Sequence, residues 1–216
     1  MTSNPAQRFY DRISHAYDMI ADGGEHVARE RGLELLAAQP GESILEVGFG
    51  TGHSLVSLAK AVGDTGKVVG VDISSGMRDV AQKRLEKSGH AHNVELVVQE
   101  TPPLPFEDAQ FDAVVMSFTL ELFPIAEIPA VLAECKRVLK NNGRLSVVSM
   151  AEVLPDDHAS ILEHSYVWMH THFPHIVDCQ PIPVEAMITD AGFTITTQER
   201  MGLFTMPVAI VIATNQ

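Results

Sequence analysis

The chain has 216 residues, 45% hydrophobic and 20% charged, which is ordinary usage for one globular domain and excludes disordered, collagen-like and coiled-coil architectures. Asp and Glu number 28 against 15 Lys and Arg, a net charge of −13, and no basic cluster is longer than Gln82-Lys83-Arg84 or Lys136-Arg137. Nothing here offers a cationic footprint to nucleic acid or to an anionic membrane, so a small or lipophilic neutral substrate fits better.

In chain order, Pro5 to Gln39 has helical patterning with a break at Asp22-Gly23-Gly24. Five short apolar runs follow: Ser43–Val47, Lys67–Asp72, Val94–Val98, Phe111–Met116 and Arg144–Ser149. Between them Ser54–Ala61, Ser75–Lys87 and Ala126–Lys140 carry apolar residues at helical spacing. Strands separated by helix-length stretches predict βαβ units and a parallel sheet covered on both faces. After a long helical stretch, Glu152 to Pro183, the runs Gly192–Thr197 and Met206–Ala213 are separated only by a short turn region, which predicts an antiparallel hairpin on the sheet edge.

The expectation is a single α/β domain over 1–216 with a doubly wound, mostly parallel seven-stranded sheet. Residues 5–39 form a helical lid, 40–150 the ligand-binding core, 151–183 a helical insertion over the substrate site, and 184–216 a helix and hairpin. The two extra segments are read as lids because ligands of open α/β sheets lie at the carboxyl ends of the strands.

Cys135 and Cys179 make no CxxC and no disulfide framework, and Cys135 reads as a small core residue. Met1-Thr2-Ser3-Asn4-Pro5 has no basic run ahead of an apolar one, and Met201 to Gln216, broken by Gly202 and Pro207, is too short to span a bilayer. A cytoplasmic chain without a membrane segment is expected; a homodimer is left open.

The first run enters Glu46-Val47-Gly48-Phe49-Gly50-Thr51-Gly52. Glycines at that spacing let the backbone turn tightly and approach a ligand closely. The dinucleotide pattern G-x-G-x-x-G would need a third glycine at 53, where His53 stands, and no Gly-Lys-Ser/Thr follows for a phosphate loop. A carboxylate just before the loop suits a cation better than a phosphate. Asp72 at the end of the second run can accept ribose hydroxyls, and Glu100 at the end of the third can accept from an exocyclic amine. A cationic amino-acid tail, a ribose and an adenine-like amine are the parts of S-adenosylmethionine. The bland alternatives are a tight turn for the glycines, a helix cap for Asp72 (although Ser74 and Ser75 are better placed) and a solvated loop end for Glu100.

At these residues the sequence resembles the class I S-adenosylmethionine-dependent methyltransferases. The likeness runs in order through Ile44–Gly52, Val69–Met77, Leu104–Val115 and Leu139–Leu145, and within the superfamily is greatest to the ubiquinone/menaquinone-biosynthesis C-methyltransferase group, whose opening segment Phe9–Asp18 is similar to. The resemblance implies S-adenosylmethionine as cofactor, with S-adenosylhomocysteine as product. Glu46 and the Gly48, Gly50 and Gly52 loop would hold its methionine end, and Asp72 its ribose. Ile73 and Met77 would line the adenine, with Glu100 and Thr101 at its edge. Ser117 would offer its backbone near the amino group, and Tyr17 would close over the cofactor or serve as simple core. Two departures stand out: Glu100 replaces the usual Asp, ahead of the proline-rich 102–105 loop, and Asn141-Asn142-Gly143 replaces Pro-Gly-Gly.

Methyl transfer from a sulfonium is an in-line displacement in which alignment alone can remove roughly 7–11 kcal/mol of barrier. A base is needed only where the acceptor must lose a proton, so an absent triad does not argue against an enzyme. Glu121 and His15 are the candidate bases; for Glu121 a charge at a helix start competes. Five of the ten histidines, His158, His164, His170, His172 and His175, lie in the inserted stretch with Tyr166, Trp168, Met169 and Phe173. Phe173-Pro174 disrupts a single helical face, so no metal site is expected; a half-polar wall over the acceptor and an amphipathic packing helix both explain these residues. The favoured function is methylation of a small lipophilic or aromatic acceptor, quinol-like at carbon or oxygen. The alternatives are an amine or lipid head group as acceptor, and a cofactor-binding protein without turnover. A nicotinamide oxidoreductase is disfavoured by His53.

Overall fold

The structure is a computed structural model that describes residues 25–152, 180–203 and 206–216. Elements are α1 (Glu25–Leu36), β1 (Ser43–Val47), α2 (His53–Val62), β2 (Lys67–Asp72), α3 (Ser75–Ser88), β3 (Val94–Val98), β4 (Phe111–Ser117), α4 (Ile128–Val138), β5 (Leu139–Met150), α5 (Val184–Asp190), β6 (Thr194–Leu203) and β7 (Met206–Thr214). Single turns of 3-10 helix cover Ala91–Asn93 and Leu120–Leu122.

The seven strands form one sheet in the order β3-β2-β1-β4-β5-β7-β6. β1 to β5 run parallel, and β7 pairs antiparallel with both β5 and β6. The expected doubly wound sheet and closing hairpin are therefore present, with β6 rather than β7 at the edge. The two lids lie largely outside the described residues, as do His15, Tyr17, the five clustered histidines and the aromatics among them.

Alternation along the strands builds a core on each face. Leu45, Val69, Val114, Leu145 and Val211 turn toward α4 and α5, where Leu132, Cys135, Val138 and Ile188 meet them. Their neighbours Ile44, Val68, Ala113 and Val115 turn the other way, onto Leu55, Leu58 and Val62 of α2 and Met77, Ala81 and Leu85 of α3. Each such aliphatic side chain contributes about 1.5–3 kcal/mol when withdrawn from water. On the hairpin half, α1 lies across Val148, Val208 and Ile210 with Ala28. It can do so because Gly32 faces β5: a Cβ there would sit 2.5 Å from Val148 Cγ2.

Two boundaries differ from the sequence expectation. β5 begins at Leu139 rather than Arg144, because Leu139 pairs with Phe111 across an irregularity and Asn142, at φ 62°, turns the chain within the strand. Asn215 holds this turn: its side-chain amide donates to the carbonyls of Lys136, Leu139 and Lys140. β6 runs on to Leu203, beyond Thr197.

The parallel arrangement brings the carboxyl ends of β1, β2, β4 and β5 to one edge of the sheet. The chain leaves β5 at Ala151, which bridges to Ile182 at that edge.

Candidate cofactor site

Glu46 is the next-to-last residue of β1 and is only 2% exposed. The loop after it needs its glycines: Gly48, Gly50 and Gly52 have φ of 74°, 50° and 83°, the left-handed region that a Cβ disfavours. Gly48 donates its N–H to Val71 O at 2.8 Å, joining the loop to β2. A side chain there would collide with Thr119 Cγ2 and Oγ1 from the loop after β4. Gly52 packs against α3, where a Cβ would come within 2.8 Å of Ala81 Cβ. Over Gly50 the equivalent position is open, with nothing within 4 Å among the described residues. The loop is thus closed at both ends and clear in the middle, a cradle for a ligand that approaches backbone.

Asp72 joins this cradle to the next crossover. Its Oδ2 accepts from Gly50 N and its Oδ1 from Ser74 N, both at 2.9 Å. Ser74 caps α3 by accepting from Met77 N, so the cap falls to Ser74 and leaves Asp72 half-buried at the edge. A carboxylate has about four lone-pair sites, so one that already accepts from backbone N–H groups can also accept from a hydroxyl. Ile73 is partly exposed beside it, while Met77 is buried in the core under α3. Glu100 stands two residues past the end of β3 rather than on it, exposed, with Thr101 half-buried next to it. The strand stops at Val98 once Gln99 N has bonded Asp72 O.

Ser117 closes β4, and its buried Oγ has no partner among the described residues. The next residue, Phe118, has φ 51° and donates its N–H to Val148 O. Thr119 then bridges the loops, donating to the carbonyls of Gly48 and Ser117. Glu121 is 1% exposed. Its Oε1 accepts from Met150 N at 3.1 Å and its Oε2 from Ser149 Oγ at 3.0 Å, bracing the turn after β4 against the end of β5.

Burial governs the charge state of both glutamates. It pushes Glu46 up to about 8, opposed by the Ser54 hydroxyl and the Arg29 charge and reinforced by Asp72. It pushes Glu121 up to about 7, opposed by the backbone N–H groups, including that of Met150, and by the Ser149 hydroxyl. Glu46 Oε2 is buried and lacks a partner among the described residues. A buried carboxylate oxygen left without a donor is costly, and a ligand ammonium would supply the donor.

The parts of S-adenosylmethionine fit what is present: a cation for Glu46 Oε2, close backbone approach over Gly50, and hydroxyls for Asp72. Among the described residues no group of three or more His, Cys, Asp or Glu could hold a metal ion. No helix among them is long and apolar enough to cross a membrane.

The pattern of residues 44–143 matches the model of a methyltransferase domain. Residues 44–143 belong to that methyltransferase-domain family.

Curated relatives of this chain include the 2-phytyl-1,4-naphtoquinone methyltransferase of Trichormus variabilis, 33% identical over 68% of this chain and 65% of that one. The demethylmenaquinone methyltransferase of Thermotoga maritima is 35% identical over 71% and 64%. The ubiquinone/menaquinone biosynthesis C-methyltransferase of Teredinibacter turnerae is 32% identical over 73% and 62%. The matches thus span slightly less than two thirds of these relatives' own lengths. A solved S-adenosylmethionine-dependent methyltransferase from Aquifex aeolicus superposes with a TM-score of 0.63 and 25% identity, over 87% of this chain and 89% of that one. The fold is shared more widely: the [4+2]-cyclase SpnF superposes with a TM-score of 0.78 at 18% identity, over 99% and 96%.

The structure brings Glu46, Gly48, Gly50, Gly52, Asp72, Ile73 and Ser117 to one edge of the sheet, with Glu121 braced behind the turn that follows Ser117. Sequence reasoning did not single out Thr119, Ser54 or Arg84. Only Arg84 left a signal, since it follows Ala81 by three positions on the face of α3 that carries Met77 and Leu85.

Proposed function

We propose that the protein transfers the methyl group of S-adenosylmethionine to a small lipophilic or aromatic acceptor, a quinol-like carbon or oxygen being favoured. The observation that carries the cofactor half is the buried, unpartnered Oε2 of Glu46 beside the open space over Gly50. Support for the acceptor comes from the curated relatives, whose names are those of quinone-related methyltransferases.

Bound here, S-adenosylmethionine supplies an electrophilic methyl on a cationic sulfur. Glu46 takes up the cationic amino-acid end with its free oxygen, and the glycine loop keeps side chains out of the way. Asp72 orients the ribose while its bond to Gly50 N holds the loop at a fixed distance from β2. Glu121 serves first as a brace; burial holds its proton affinity near neutral, so it can also hold a proton given up by the acceptor. The brace and the proton role separate in Glu121→Gln, which keeps an acceptor for Met150 N and loses the titration.

The test is labelled-methyl transfer with quinols, catechols, amines, thiols and ethanolamine lipids, with Asp72→Ala as control. Transfer to quinols or catechols that is lost in the control is the expected result. Transfer to amines or lipids alone would replace the acceptor assignment. The SpnF likeness favours one second reading, a binder of the same cofactor that does other chemistry or none; calorimetric binding with no transfer across the panel would select it.

A further inference from the structure

The crossover from the end of β2 through α3 touches the glycine loop at several points along its length. At the start of the crossover Asp72 accepts from Gly50 N. Two turns into the helix Ala81 forms the floor against which Gly52 packs. One turn further on, Arg84 reaches back across the loop. Its Nε donates to Thr51 O at 2.8 Å and its Nη1 to His53 Nδ1 at 2.9 Å.

A guanidinium has only donors, so this contact requires the Nδ1 lone pair of His53 to be available as acceptor. Both bonds are charge-assisted and partly buried, which makes them stronger than ordinary neutral ones. They grip the residues on either side of Gly52, where the chain at φ 83° turns from loop into α2. Gly52 provides no side-chain cap for α2. Gly50 and Gly52 have wide conformational freedom, and nothing in their own side chains selects the cradle shape. The selection comes from outside the loop.

We infer that Arg84 is a positioning residue for the cofactor: it holds Thr51 and His53 so that the glycine loop keeps the shape that receives the methionine end. This rests on the methyltransferase reading above. The adenosine end depends on Asp72 and Ile73, which precede α3; Asp72 accepts from Ser74 N as well as from Gly50 N, so it keeps an anchor at the capped start of α3 when the loop loosens. Loss of Arg84 should therefore weaken one end of the ligand and spare the other, which a general loosening of the fold would not do.

The test is titration calorimetry of the full chain with S-adenosylmethionine and, separately, with adenosine, which lacks the methionine end. In Arg84→Met, which keeps the aliphatic stem, the Kd for S-adenosylmethionine is expected to rise about tenfold or more, and that for adenosine less than about twofold. Arg84→Lys, with a cation able to reach Thr51 O alone, should fall between. In turnover the loss should appear in KM for the cofactor while kcat stays within about twofold. Equal weakening of both ligands, or of neither, overturns the assignment. Should Arg84→Met not fold, the ratio of the two affinities in Arg84→Lys decides in the same way. Wild-type protein that binds adenosine but not S-adenosylmethionine would instead overturn the methyltransferase reading itself.

Discussion

The two halves of the sheet satisfy their polar groups in opposite ways. In the hairpin half, β5 to β7, charges at the surface are paired and buried amides are fully used. Arg200 forms a two-pronged pair with Glu185 and also donates to Glu152 O. Arg31 does the same with Glu199, and Asn215 donates to three carbonyls. In the parallel half, Glu46 Oε2 at the end of β1 and Ser117 Oγ at the end of β4 are buried without partners among the described residues. The same half holds the left-handed backbone at Gly48, Gly50, Gly52 and Phe118. Among the described residues, strain and unmet hydrogen-bonding capacity concentrate where a ligand is to be received, while the hairpin half has less of both, at Asn142 in β5 and at the buried Nε of Arg29 on α1.

That contrast should break most visibly at Gly48. Replacing it with Ala drives a Cβ into Thr119 and forces a left-handed residue, so cofactor affinity should fall about 100-fold by calorimetry. Asp72→Ala comes next: it removes the acceptor of Gly50 N and Ser74 N as well as the ribose contact, for about a 30-fold loss. Both should shift binding far more than melting temperature.

The pH dependence sharpens the comparison. Burial holds Glu46 at about 8 and Glu121 at about 7, above the ordinary carboxyl value, so the folded chain keeps protons that the unfolded chain releases. The stability this contributes is complete below the unfolded value and disappears as pH rises through 7 and 8. Carboxylates held low by partners, such as Glu134 beside Arg137, lose their contribution only in acid, below that window. Cofactor-free melts should therefore fall between pH 5 and 9, and Glu46→Gln should flatten the upper part of the fall. Because a ligand ammonium favours ionised Glu46, binding at pH 7 should release most of a proton, read as a buffer-dependent calorimetric heat. The smallest effect belongs to the hairpin half. Arg200→Ala should cost about 1 kcal/mol, about 2–4 °C in melting temperature, and leave cofactor affinity unchanged.

How far each half could be read from sequence follows the same division. β1, β2 and β4 are near-continuous apolar runs because both faces are covered, and their limits, like those of the edge strand β3, emerged within a residue. β6 did not: as an edge strand it mixes Thr, Gln, Glu and Arg, and beyond Thr197 it has the composition of a loop. At the site, the acids and glycines were legible because their chemistry is unusual just after a strand. The contacts of Thr119 with Gly48 and of Arg84 with Thr51 join residues 71 and 33 apart in the chain, and no local pattern announces them. Glu121 was recognisable as a candidate carboxyl, but its bonds to Ser149 and Met150 depend on β5 arriving beside β4.

Helix α1 has a consequence for how the molecule assembles. It precedes every strand in the chain, yet it seats on β5, β6 and β7, and Arg31 meets Glu199 across 168 positions. The cofactor crevice is built from successive βαβ units of short sequence separation, whereas α1 has no place to dock until the hairpin has formed. Closing so long a loop is entropically slow. During synthesis the crevice should therefore take shape early, while α1 stays undocked until the last strands emerge.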